Sequence, residues 1–186
     1  MIDLDDVLTW DSWVTADQHW EHPRIREYQG RPENHFEQMR ITWCSRVGRD
    51  DVVLHLGDVV CFGDRSRHPF WLDGLPGRKY LIRGNHDKHS DEWYEAAGFT
   101  VIGRGSRGYL WQPEGESRVI AFSHEPLTEQ GYAGFDVNVH GHIHGNDLWY
   151  GLPEHEYVNV SVEVTDYAPV RLRDVLGAKV DGTSGH

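Results

Sequence analysis

The chain has 186 residues, enough for one domain with a sizeable core, and its 38% hydrophobic and 12% aromatic content excludes the disordered class. A formal net charge of −12 with histidine neutral, and the absence of any Lys/Arg run, disfavours tight binding to long DNA or RNA, whose backbone selects basic stripes. The two cysteines, Cys44 and Cys61, stand in neither a CxxC nor a Cys/His finger spacing, which argues against a disulfide framework or a structural zinc module and points to a reduced, cytoplasmic compartment.

The acidic N-terminus MIDLDDVLTW carries no apolar run, so neither a signal peptide nor a membrane span is expected. Residues 12–16 read as a strand that ends at Asp17. Residues 33–47 have helical spacing through Phe36, Met39, Trp43 and Val47. The β-branched run DVVLHL at 51–56 stops at Gly57-Asp58. A second helical piece covers about 69–75, a strand covers 79–82 before Arg83-Gly84-Asn85, and a helix covers 91–97 with Gly98 as its stop. Strands then dominate, at 100–102, 108–112, 118–122, 137–140 and 157–160, while 170–175 fits either state. The order, alternating β and α and then mostly β, predicts a layered α/β fold. No repeat or linker divides it, so 1–180 is expected to be one domain and 181–186 a flexible tail.

One pattern recurs along these elements. Apolar strands run into Asp17, Asp58, Asn85, His124 and His142, each just past a strand end, where open α/β sheets gather their ligand sites. The pieces are Asp17-Gln18-His19, Gly57-Asp58, Gly84-Asn85-His86-Asp87, Ser123-His124 and Gly141-His142-Ile143-His144. Asp17 and His19 are two apart, as are His142 and His144, so each pair shares a side if the chain is extended. Gly57, Gly84 and Gly141 are expected to let the backbone turn tightly beside an ion. Carboxylate, amide oxygen and imidazole suit Mn²⁺, Zn²⁺, Fe or Ni. There are too many such groups for one tetrahedral ion, and two ions fit better. Two divalent ions about 3.5–4 Å apart repel by roughly 19 kcal/mol at an effective dielectric of about 20, so an anionic bridge such as Asp58 is required. Taken singly, each piece reads as structure: a surface Asp-x-His, a Gly-Asp turn, a core histidine. All five in order, each closing a strand, do not.

The series DxH, GD, GNHD, H and GHxH across residues 17–144 resembles the signature of the calcineurin-like metallophosphoesterase superfamily. The stretch YVNVSVEVTDYAPV at 157–170 and the segment DQHWEH at 17–22 resemble its small, single-domain bacterial and phage members. One departure is GDVVCFGD, where many members carry an acidic or Asp-Arg-Gly segment after GD. The resemblance implies a four-layer αββα sandwich with a dinuclear metal site at the strand ends. One ion would take Asp17, His19, Asp58 and His144; the other would take Asp58, Asn85, His124 and His142, with Asp58 bridging. His86 would stand beside the ions without binding them and act as general acid, and Asp87 would orient it. The implied cofactors are two divalent ions, Mn²⁺ for activity, with Fe, Zn or Ni as alternatives.

Other residues carry weaker signals. His22 is equally readable as a phosphate contact, a support behind the ligands or a loop histidine. Arg83 is equally readable as a holder of phosphate oxygen or as half of an ion pair. His55, His140 and Cys61 are expected to pack, and His35, His68, His89, His155 and His186 to lie on the surface. Trp20, Trp71, Trp93 and Trp149 are expected in the core or at its rim, with Trp20 or Trp149 as the candidate for stacking on a nucleobase. The expected activity is metal-dependent hydrolysis of small phosphodiesters, with 2′,3′- or 3′,5′-cyclic nucleotides as the best candidates, by metal-activated hydroxide. The alternatives are a phosphomonoesterase or nuclease on the same site, or a non-catalytic interaction scaffold, which retention of every ligand type disfavours. The expected partner is a small phosphoester, not long nucleic acid and not a membrane; the oligomeric state is open.

Overall fold

A computed structural model describes residues 2–61, 65–105, 107–128, 134–147 and 156–177. In chain order the elements are β1 (Trp13–Thr15), α1 (Ile25–Gln29), α2 (His35–Arg46), β2 (Val52–His55), α3 (His68–Leu72), β3 (Arg78–Arg83), α4 (Asp91–Ala96), β4 (Phe99–Arg104), β5 (Tyr109–Trp111), β6 (Ile120–Phe122), β7 (Val137–His140), β8 (Glu156–Asn159), β9 (Val170–Arg171) and α5 (Leu172–Leu176). A short 3-10 turn, Arg65–Arg67, leads into α3.

Two sheets result. The larger has five strands in the order β4-β3-β2-β1-β9, parallel throughout except for β9 against β1. The smaller has four strands in the order β5-β6-β7-β8, with β6, β7 and β8 parallel. Strand alternation sorts the side chains into layers. Val14, Val52, Leu54 and Ile82 of the larger sheet meet Ile120, Phe122, Val137 and Val139 of the smaller one in a common core, which Leu172 and Leu176 of α5 join. The alternate residues Trp13, Val53 and Leu81 face the other way, onto Met39 and Trp43 of α2, Trp71 and Leu72 of α3, and Tyr94 of α4. The outer face of the smaller sheet is covered by Leu127 and Phe135 against Ala121. The mixed α/β layering expected from the element order is thus observed.

The helices follow from local sequence. In α2 the buried residues His35, Met39 and Trp43 recur every fourth position, which places them on one stripe of the helix. Helix α4 is capped by the Ser90 hydroxyl, which accepts from the Trp93 N–H, and carries Asp91 and Glu92 in its first turn, where the helix dipole favours negative charge. Gly98, at φ +85°, stops the chain after it as expected. The ambiguous segment divides: 170–171 pairs with β1, and 172–176 turns helical. Helix α1 was not expected; its one buried anchor, Ile25, is too short a pattern to read in sequence. Among the described residues no helix is long and apolar enough to cross a membrane. The expected tail, 181–186, and the end of the expected domain lie outside the described residues.

Three histidines expected on the surface are inside or partly so. His35 is buried, shares a hydrogen bond with the Pro32 carbonyl and lies against Phe36. His68 is buried and meets His89, which stacks on Trp93 at 3.9 Å between ring centres. His68 and His89 meet only in the folded chain, while Phe36 and Trp93, close to His35 and His89 in sequence, cover the other rings. His155 and His186 lie outside the described residues.

Parallel strands deliver their carboxyl ends to one edge of a sheet. Here the edges of the two sheets abut. Ala16, one residue past β1, bridges to Ser161, beyond β8, and the Val162 N–H donates to the Ala16 carbonyl at 3.1 Å. The two sheets are therefore joined at the end where their loops emerge.

Candidate metal centre

The loops after β1 and β2 run side by side. The N–H groups of Asp17, His19 and Trp20 donate to the carbonyls of Gly57, Asp58 and Val59, each at 3.0 Å. This ladder holds the chain in left-handed turns that only the surrounding bonds sustain. Asp17 (φ 64°), His19 (φ 51°), Asp58 (φ 56°), His142 (φ 70°) and His144 (φ 54°) all have positive φ, a conformation uncommon outside glycine and concentrated at functional sites. The turns bring Asp17 and His19 to the common side expected of them, while His142 turns to His124 and His144 to His19.

The motif glycines serve mainly by being small. A Cβ on Gly84 would lie 2.2 Å from Asp58 Oδ1, and one on Gly141 would lie 2.4 Å from Asp17 Oδ2. Neither glycine has positive φ; of the three, only Gly57 does, at +96°. The expected tight turning therefore holds for Gly57, while at Gly84 and Gly141 the need is for space beside a carboxylate.

Seven side chains converge from both sheets. Asp17, His19, Asp58 and Asn85 come from loops of the larger sheet; His124, His142 and His144 come from loops of the smaller one. Asp58 Oδ2 stands 3.4 Å from His19 Nε2 and 3.5 Å from His124 Nε2, between the two groups. Asp58 Oδ1 is occupied by the His86 N–H at 2.8 Å. Asn85 Oδ1 lies 2.8 Å from His124 Nε2 and 3.1 Å from His142 Nδ1, and those two nitrogens are 3.3 Å apart. On the other side, Asp17, His19 and His144 bring one ligand atom each within 4.8 Å of one another, as do Asp17, Asp58 and His124.

The bonding around these atoms fits a cation. Asp17 Oδ2 accepts from the His142 N–H at 2.9 Å and the Ser161 hydroxyl at 2.8 Å, but Asp17 Oδ1 is buried with no hydrogen-bond partner. Both ring nitrogens of His19 are likewise buried without one. Buried polar atoms are normally satisfied, so Asp17 Oδ1 and one nitrogen of His19 call for a further partner, and a divalent ion suits their type. His124 Nδ1 sits 2.8 Å from the Leu56 carbonyl, and that bond fixes the tautomer with Nε2 turned to the site. His144 Nδ1 sits 2.9 Å from Glu163 Oε1 and leaves Nε2 to the site in the same way.

The electrostatics agree. Burial pushes the Asp17 carboxyl up and the His19 imidazole well below its ordinary range. Burial also opposes the charge on Asp58, but His124, His19 and the His86 N–H outweigh it and hold this carboxyl well below the usual range. At His124 burial is again outweighed, by Asp58 and Asp17, which push the imidazole up to about 9. Two buried carboxylates thus compete for the positive charge around them, and a divalent cation offsets that deficit directly.

The remaining expected residues divide by what they touch. His86 borders the cluster, 5.3 Å from His19 between ring centres, with Nδ1 3.6 Å from Cys61 Sγ. Asp87 was expected to orient His86 but bonds elsewhere. Its Oδ2 accepts from the N–H groups of Asp58 and Gly84, and its Oδ1 from the Val59 N–H and the Tyr94 hydroxyl. It therefore clasps the two ligand loops and acts on His86 only through their backbone. Arg83 is buried and pairs with Asp91 at 2.6 Å while donating to the carbonyls of Asp87 and His89, so its structural alternative is the one observed. His22 lies at the rim, 5.7 Å from His19 between ring centres. Trp20 is buried and stacked on Trp71 at 5.2 Å, so it offers no face to a base; Trp149 lies outside the described residues. His55 and His140 are buried as expected, held near 3 and 4 respectively by loss of solvent. Cys61 is buried as expected, though against His86.

Sequence reading missed Arg31, Ser161 and Glu163. Ser161 and Glu163 lie inside the YVNVSVEVTDYAPV stretch, whose resemblance signalled importance without a role. Arg31 carries no local signal; its contacts are with residues 13, 14 and 132 positions away.

Comparison with known proteins gives a consistent picture. The profile of the calcineurin-like phosphoesterase family matches residues 12–146. An uncharacterised protein of Methanocaldococcus jannaschii is 29% identical over 172 residues, covering 86% of each chain. The Gene 66 protein of Mycobacterium phage L5 is 38% identical over 82 residues, a match of 41% of this chain and 40% of that protein. Among solved structures, a protein of unknown function from Aquifex aeolicus superposes with a TM-score of 0.68 at 23% identity, over 89% of this chain and 97% of that one, which is a likeness of fold.

Proposed function

Because the chain belongs to the calcineurin-like phosphoesterase family, we propose that this phosphoester hydrolase acts on small phosphodiesters through two divalent ions, with cyclic nucleotides as the leading substrate class. The observation that carries the reading is the convergence of buried ligand atoms from both sheets, several of them without any other partner. Asp17, His19, Asp58 and His144 would hold one ion, and Asp58, Asn85, His124 and His142 the other. The position of Asp58 Oδ2 between His19 and His124 supports its role as the shared ligand. Mn²⁺ is the proposed ion for activity, since oxygen and imidazole ligands without thiolate suit it. When bound, the pair would supply an acidic water as nucleophile and neutralise the phosphate oxygens.

The protein's own groups do the rest. The loop ladder and the Asp87 clasp keep the ligand loops in place, so the phosphate meets a preformed surface. His86 Nδ1 faces Cys61, and its Nε2 is the proposed donor of a proton to the leaving oxygen. Beside it lies a small depression lined by Cys61, Arg65, His68, Lys88 and His89. Arg65 and Lys88 there offer positive charge to an anion within a chain of net charge −12.

The test is a panel of nucleotides and phosphodiesters assayed with Mn²⁺, Zn²⁺, Fe²⁺ and Ni²⁺. Hydrolysis of bis-nitrophenyl phosphate should exceed that of nitrophenyl phosphate, and a cyclic nucleotide should be turned over. Faster hydrolysis of the monoester would overturn the diester assignment.

A further inference from the structure

Behind one half of the metal centre lies a buried ion pair that the proposed chemistry does not use. The Arg31 side chain is 0% exposed and that of Glu163 8%, and they meet at 2.5 Å. Arg31 Nε and Nη2 both donate to Glu163 Oε1. The same guanidinium donates through Nη1 to the Gln18 carbonyl at 2.7 Å and through Nη2 to the Asp17 carbonyl at 2.6 Å. On its far side, Glu163 Oε1 is 2.9 Å from His144 Nδ1. One charged unit therefore grips the backbone of the Asp17-Gln18-His19 turn and the ring of His144 together. Those are all the proposed ligands of one ion other than the shared Asp58.

Among the described residues the other ion has Asp87 clasping the backbone of its Asp58 and Asn85 loops, but no carboxylate from outside the ligand set stands behind its imidazoles. His124 Nδ1 faces the uncharged Leu56 carbonyl, and Asn85 and His142 reach only each other and His124 through their ligand atoms. A carboxylate behind an imidazole makes it a stronger donor than a carbonyl does, and it fixes the ring more firmly. A buried ion pair is also weak as a source of stability, since desolvation opposes it, so its placement here asks for another role.

We propose that Glu163 and Arg31 are positioning residues for the ion held by Asp17, His19 and His144, and that they set the affinity of that ion selectively. This rests on the two-ion reading. Glu163 orients His144 with Nε2 toward the ion, and Arg31 holds both Glu163 and the left-handed turn that presents Asp17 and His19. The two sites are in consequence unequal, with the ion beside Glu163 the tighter.

Equilibrium dialysis against Mn²⁺ and Zn²⁺, with bound metal counted by elemental analysis, tests this without any assay of activity. The wild type should bind two ions, and E163Q should bind one as before and the other about 10- to 100-fold more weakly. E163D, which keeps the charge, should recover part of the loss. N85A should weaken the opposite ion and leave the one beside Glu163 in place. Should E163Q not fold, the R31M/E163Q pair removes both buried charges together and carries the same expectation. Two ions bound unchanged in these Glu163 variants would overturn the positioning role alone, as would equal loss of both ions. A wild type that binds no metal would overturn the proposed function itself.

Discussion

His86 is the residue whose chemistry is most sharply testable. It borders the ligand cluster, and its backbone N–H, not its ring, touches Asp58. If Nε2 donates a proton to the leaving oxygen, H86A should slow natural diesters by about 10²- to 10⁴-fold. Nitrophenyl esters, whose leaving group needs no proton, should be far less affected; equal loss on both in steady-state kinetics would sink the general-acid role. His55 gives a prediction of a different kind. It is buried, its Nδ1 accepts from the Gly57 N–H, and burial holds it at about 3, below its ordinary 6.5. The folded state thus binds this proton less readily than the unfolded chain, so stability is full above about pH 6.5 and falls as pH drops toward 3. Urea titrations of metal-free protein at pH 7 and pH 5 should show that loss, and H55Q should flatten it. The side chains that converge at the site were legible because carboxylate, amide and imidazole at strand ends advertise metal chemistry. Asp87 was legible as important but not in its bonds, because what it clasps is backbone from two separate loops. Arg31 was illegible for the same reason, its partners being fixed only by the fold.

At the scale of elements, the strands that end in ligands were the clearest part of the sequence. The run in β2 is β-branched and buried on both faces, that in β3 is buried at Leu81, Ile82 and Arg83, and Gly-Asp and Gly-Asn close them, so both fell close to the expected bounds. Helix α1 and the split between β9 and α5 were not legible, since five residues or fewer hold too little of a 3.6-residue period to decide. The loops themselves tolerate little. A methyl on Gly141 would lie 2.4 Å from Asp17 Oδ2 and 2.6 Å from the Ala16 Cβ, and both sit in the bridge that joins the sheets. G141A should therefore cost about 1–3 kcal/mol by overpacking and weaken metal binding, because His142 follows directly on this contact. Thermal unfolding and metal titration on the same sample check both parts; a variant with wild-type values would show that the loop yields without effect.

At the scale of the whole molecule, the two sheets share one apolar core and are joined by hydrogen bonds through Ala16, Asp17 and Ser161, and between β4 and β5, where the Arg104 N–H donates to the Tyr109 hydroxyl. Ions bound to the native state and not to the unfolded chain stabilise it by mass action, about 4 kcal/mol for each ion at a free concentration a thousand times its dissociation constant. Chelation should lower the melting temperature by several degrees. It should also raise hydrogen exchange first at the N–H groups of His142 and Val162, which tie the sheets together. Exchange that rises uniformly would instead mean that the ions stabilise the fold without clamping the sheets. The layered class was legible from element order, whereas the meeting of two separate sheets at one edge was expected only through the family resemblance.

That division of ligands has a consequence for assembly. The segment through β4 supplies Asp17, His19, Asp58 and Asn85, and the segment from β5 onward supplies His124, His142 and His144. Neither half of the chain can complete an ion site without the other. On the proposed ligand set, metal uptake would be a coincidence signal: it would register the moment when both halves are finished and docked, and a chain cut between β4 and β5 should bind ions only when the two fragments find each other.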